Sequence, residues 1–135
     1  MMSPLSLKGF FMMGGVILLL LGVVGFLGIF GPTTPLWLTD GENYAHVVLG
    51  AVALAALYVP GLNTALAPYL KWIAVLVGVI ALFFGVFGFV GVTADLPPKM
   101  NTFGVAFLNN PIDNIIHLVV GAWALYVSLK VKVTA

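Results

Sequence analysis

The chain repeats itself. Residues 15–28 read GVILLLLGVVGFLG and residues 78–91 read GVIALFFGVFGFVG, with nine of 14 positions identical. From Glu42 the sequence ENYAHVVLGAVAL is answered from Asp113 by DNIIHLVVGAWAL, with seven of 13 identical. The matches take in both histidines of the chain, His46 and His117. A doubled apolar pair of segments restricts the fold to two like halves, and it confines any chemistry to the one layer where ionisable groups recur.

Those segments are too long and too apolar for a soluble core. Four stretches, roughly 8–30, 41–59, 69–92 and 111–129, reach the ~20 residues that cross a bilayer as helix. With 62% hydrophobic and 7% charged residues, the chain lies well outside the usage of soluble domains. The expected fold is an all-α membrane protein of four transmembrane helices in a single domain over 1–135. Repeat one covers 8–60 and repeat two covers 69–130. Each repeat crosses twice, so the copies share an orientation and any pseudo-twofold axis runs along the membrane normal.

Charge sorts by end. Lys8, Lys71, Lys130 and Lys132 fall at the N-terminus, the link between the second and third helices, and the C-terminal tail. Asp40, Glu42, Asp95 and Asp113, with Lys99, fall at the other ends. Lysine-rich flanks stay in the cytoplasm, which predicts cytoplasmic termini and a histidine layer near the opposite face. A net charge of +1 without a basic stripe gives nucleic acid nothing to bind. The absence of cysteine excludes disulfides, iron–sulfur ligation and thiolate nucleophiles. The first apolar run exceeds a signal-peptide core and lacks a small-x-small cleavage site, so it reads as a retained helix.

Local signals set the expected helix ends. Gly31-Pro32 stops the first helix. Thr39-Asp40-Gly41-Glu42 is a capping box for the second, and Val59-Pro60-Gly61 ends it. A ten-residue link with Asn63 and Pro68 leads to the third helix, where Tyr69, Lys71 and Trp72 suit the headgroup level. Between Thr93 and Asn110 the offset between repeats grows from 63 to 71 residues. The sequence reads there as a loop with an eight-residue insertion, able to cover the mouth of the bundle or meet a partner. Asn110-Pro111 opens the fourth helix.

The histidines are the first candidate site. His46 with Gly50, Ala53 and Leu57, and His117 with Gly121, Ala124 and Ser128, each follow one helical face. Small residues mark the face that meets another helix, so both rings are expected to point inward. An intramembrane ionisable group is a functional hypothesis by default, and two inward imidazoles could ligate the metal of a haem or chlorophyll. Gly22 and Gly25, with Gly85 and Gly88 (and beyond them Gly28 and Gly91), would offer a flat cradle to such a macrocycle. The same glycines equally serve close helix crossing, and each imidazole equally serves a hydrogen bond to a neighbouring carbonyl, asparagine or water. Asn43 and Asn114, three residues before the histidines, belong to the same network.

A second candidate joins Glu42 to His46 and Asp113 to His117 as a metal site, each an i, i+4 pair. Against it, both carboxylates stand at the third helical position, where capping already accounts for them. Trp123, opposite Val52 in the other repeat, reads as a space-filler. With no phosphate loop, no serine nucleophile and no carboxylate deep in a helix, no enzyme is expected.

The repeated [E/D]-N-x-x-H-x-V-x-G-A-x-A-L segments resemble a bacterial family of small four-helix membrane proteins known only as a domain of unknown function. The resemblance implies an integral, multi-pass protein of the bacterial inner membrane, and it implies no activity or cofactor. The leading expectation is a non-enzymatic accessory or scaffold subunit, in contact with lipid and with other membrane subunits or copies of itself. A tetrapyrrole-binding redox or pigment protein and a small transporter or channel are the alternatives.

Overall fold

The computed structural model describes residues 2–31, 33–34, 36–90, 92–94, 99–102, 106–109 and 111–130. Helix α1 spans Leu7–Phe26, and the Ser6 hydroxyl caps it by accepting the Gly9 N–H at 3.0 Å. It stops earlier than the proline signal predicts. Gly28 takes φ +65°, the left-handed conformation that closes a helix and that side chains disfavour. Helix α2 spans Asp40–Tyr58 behind the expected capping box, Thr39 and Glu42 satisfying each other's backbone N–H.

The link after α2 is not a loop. Gly61 turns at φ +83°, and helix resumes as α3 (Leu62–Leu66), a 3₁₀ turn (Ala67–Tyr69) and α4 (Leu70–Phe87). Pro68 does not break this run because it sits in the first positions of the 3₁₀ turn, where the fixed φ of proline is tolerated. Helix α5 spans Ile112–Lys130, and the cap expected at Asn110 lies outside the described residues.

The segment between α4 and α5, which the sequence reads as a loop, adds a small sheet to the helical architecture. Strands β1 (Val92–Ala94), β2 (Lys99–Thr102) and β3 (Ala106–Asn109) form a small antiparallel sheet in the order β1-β2-β3. Met100 pairs with Leu108 across β2 and β3. Strand β3 lies against α5, and Leu108 is buried at 3% exposure. The strands are only three or four residues long, too short for alternation to distinguish them from loop.

Helix α1 packs along α2, and α4 along α5. In both hairpins glycine sets the approach. A Cβ at Gly15 would lie 3.0 Å from Leu54 Cγ, and one at Gly50 would lie 2.6 Å from the Leu19 backbone nitrogen. In the second hairpin a Cβ at Gly78 would lie 2.8 Å from Leu125 Cγ, and one at Gly121 would lie 2.9 Å from the Leu82 nitrogen. Without side chains at these points the backbones close to near contact, and dispersion between them replaces lipid contacts.

The hairpins meet through α1 with α5 and, less extensively, α1 with α4. Phe10, Phe11, Ala56, Leu70, Ala74, Ala124 and Val127 form one buried cluster where α1 and α4 begin and α2 and α5 end. Trp123 closes it. Its ring meets Phe10 edge-on with centroids 4.8 Å apart, and its indole N–H donates to the Pro4 carbonyl at 2.9 Å. Outside this cluster the surface is apolar, with Leu129 77% and Val90 73% exposed.

Among the described residues three helical runs are long and apolar enough to cross a membrane: Leu7–Phe26, Leu62–Phe87 and Ile112–Lys130. Helix α2 is not among them. Asp40, Glu42, Asn43 and His46 crowd its first two turns and lower its hydropathy.

Candidate functional site: the histidine and asparagine layer

Thr39 begins α2 and thereby fixes where each polar side chain of its first turns points. The Glu42 carboxylate turns back to the helix end, where Oε2 accepts the Thr39 backbone N–H and the Thr39 hydroxyl, each at 2.7 Å. Its Oε2 is thus engaged in the cap. One turn on, His46 Nδ1 lies 2.6 Å from the Glu42 backbone oxygen. In α5, His117 Nδ1 lies 2.7 Å from the Asp113 backbone oxygen. A carbonyl only accepts, so Nδ1 carries the proton in both rings and Nε2 of the neutral ring keeps its lone pair. Both rings are half-buried, and the Phe84 ring stands 6.0 Å from that of His117.

The asparagines are the buried members of the layer. Asn43 is 1% exposed and Asn114 fully enclosed. Asn43 Oδ1 rests against Gly25, and Asn114 Oδ1 against Gly88, so closely that a Cβ on either glycine would collide with the amide. Neither Oδ1 accepts an N–H or O–H among the described residues. Their position over a glycine Cα suits weak Cα–H···O contacts, which recur where helices cross closely. Asn114 makes a further interaction of its own.

These contacts decide what the glycines do. A Cβ at Gly22 would lie 2.6 Å from Val47 Cγ2, and one at Gly85 would lie 2.7 Å from Leu118 Cγ. Gly22, Gly25, Gly85 and Gly88 are therefore filled by the neighbouring helix, leaving no flat surface there for a macrocycle. Gly28 has open space beside it and serves the turn after α1, while Gly91 lies outside the described residues.

The layer is divided between the hairpins. Glu42, His46 and Asn43 stand on α2, Asp113, His117 and Asn114 on α5, and these two helices are not a principal packing pair. Among the described residues no three His, Asp or Glu side chains gather as metal ligands, so the four residues of the expected metal site do not form one cluster. Asp113 is buried at 7% exposure and holds an interaction of its own.

Sequence reasoning missed the tie between Trp123 and Pro4. Its one signal was the replacement of Val52 by tryptophan at the matching position. Gly9 was missed as well: its backbone passes so close to the Ser3 carbonyl that a Cβ there would clash.

The fold and its apolar exterior define a small helical protein of integral membrane type. Residues 71–135, just under half of the chain, match the family described as Domain of unknown function (DUF4383). No curated protein and no solved structure matches the chain.

Proposed function

We propose that the chain is a non-enzymatic accessory or scaffold subunit that crosses the bacterial inner membrane four times and packs against a larger membrane complex. One observation carries this reading. The polar side chains that the sequence offers for chemistry are taken up in building helix ends and crossings: Glu42 in a cap, each histidine on a carbonyl one turn back, each asparagine against a glycine.

Helix α2 is the fourth crossing in this reading, its polar turns shielded by α1 at the non-cytoplasmic face, with both termini in the cytoplasm. Matching glycine contacts at positions related by the sequence repeat support two copies of one hairpin. The exposed apolar faces supply surface for lipid and for neighbouring subunits. Native electrophoresis of membranes expressing the chain at its natural level tests the role. Stoichiometric co-migration with defined membrane partners is expected, and migration solely as a free monomer would overturn it.

A second reading, an axial ligand to a tetrapyrrole, draws on the two rings alone. A proton fixed on Nδ1 by a carbonyl leaves Nε2 as the ligating atom, the arrangement metal-binding histidines use. The filled glycines weigh against it. Colourless purified protein is expected. A Soret band that disappears in the His46→Ala, His117→Ala double variant would make this second reading the correct one.

A further inference from the structure

The buried cluster of Phe10, Leu70 and Val127 brings the ends of three helices to one level, and each end carries a lysine. Lys8 stands in the first turn of α1, Lys71 in the first turn of α4, and Lys130 at the end of α5. No aspartate or glutamate occurs in residues 2–15, 53–75 or 120–130, the described segments nearest this end. Asp40, Glu42 and Asp113 all belong to the opposite end.

Aromatic rings accompany the lysines. Lys130 Nζ stands 4.5 Å from the Tyr126 ring centroid and Lys71 Nζ 5.8 Å from that of Trp72. Trp72 is 63% and Tyr69 58% exposed. Amphipathic rings of this kind sit at the boundary between acyl chains and headgroups, and the exposed Leu76, one turn inward of Trp72 on α4, marks the acyl side.

We infer that this end is a binding surface for anionic phospholipid, with Lys8, Lys71 and Lys130 on the headgroup phosphates and Tyr69, Trp72 and Tyr126 at the depth of the ester bonds. The lysines are spread over three helix ends instead of forming one patch. That spacing suits a leaflet of separate headgroups better than a single acidic peptide. Lysine, a compact point charge, also suits mobile phosphates that need no bidentate geometry.

Native mass spectrometry of the full chain, released from detergent with equal phosphatidylglycerol and phosphatidylcholine, tests the assignment. Retention of phosphatidylglycerol over phosphatidylcholine is expected. Each Lys→Gln change should weaken it about fivefold, the worth of one cation near an anionic surface. The triple Lys→Gln variant should show no preference, and the triple Lys→Arg variant should keep it. Equal retention of both lipids by the unaltered chain would overturn the inference. So would a preference surviving in the triple Gln variant, or one lost equally in the Arg variant. Displacement of the lipid by millimolar inorganic phosphate would mean a site for free anions instead.

Discussion

The carboxamide of Asn43 occupies the space that a side chain at Gly25 would need, so the two residues specify each other across the α1–α2 crossing. The amide is buried, and the glycine is what lets it fit.

Gly25→Ala should therefore destabilise the protein by about 1–3 kcal/mol, the usual cost of overpacking. Gly14→Ala, on the same helix with open space beside it, should be neutral or stabilising by up to about 1 kcal/mol. Unfolding in mixed micelles, followed by circular dichroism, distinguishes the two. Equal loss at both sites would show that helix propensity, not the crossing, governs the result.

The pair should also be coupled. Adding Asn43→Ala to Gly25→Ala removes the atoms the new methyl strikes, so the double variant should recover at least about 0.5 kcal/mol over additivity. A double-mutant cycle for Gly88 and Asn114 should give the same sign. Strict additivity in both cycles would contradict the contact.

Trp123→Ala should cost about 3–5 kcal/mol, because it opens the buried cluster beside Phe10. Trp123→Phe keeps a ring and loses only the bond to Pro4, about 1 kcal/mol. Val52→Ala, at the matching position of the first hairpin but 57% exposed, should change stability little. Thermal melts of the three variants provide the comparison.

Thr39→Ala should lower stability by about 1 kcal/mol through loss of the α2 cap. The Glu42 carboxylate loses the hydroxyl and keeps the backbone N–H of residue 39. Amide hydrogen exchange confined to the first turn of α2 should rise, with α5 unaffected.

The long helices were legible because hydropathy acts over many residues. Gly50 and Gly121, one turn after the histidines, lie at crossings as their spacing implies. Thr39-x-x-Glu42 was legible because a cap is a local device. Pro68 misled, since proline breaks a helix interior yet is tolerated at a start, and sequence alone does not say which turn it opens. Strands β1 to β3 were illegible for want of length. Within the site, the buried state of Asn43 and Asn114 followed from their position, whereas the partner of each histidine did not. An imidazole one turn from a carbonyl competes between that oxygen and groups on other helices, and the choice depends on how the hairpins are set.

Pro4 is held by Trp123, 119 residues further along. During synthesis Pro4 must therefore wait for α5 to leave the ribosome before it can dock. Until then the faces of Phe10 and Phe11 are covered by acyl chains, and joining the hairpins means squeezing that lipid out. A bulky group attached at Ser3 would stand in the way of this step.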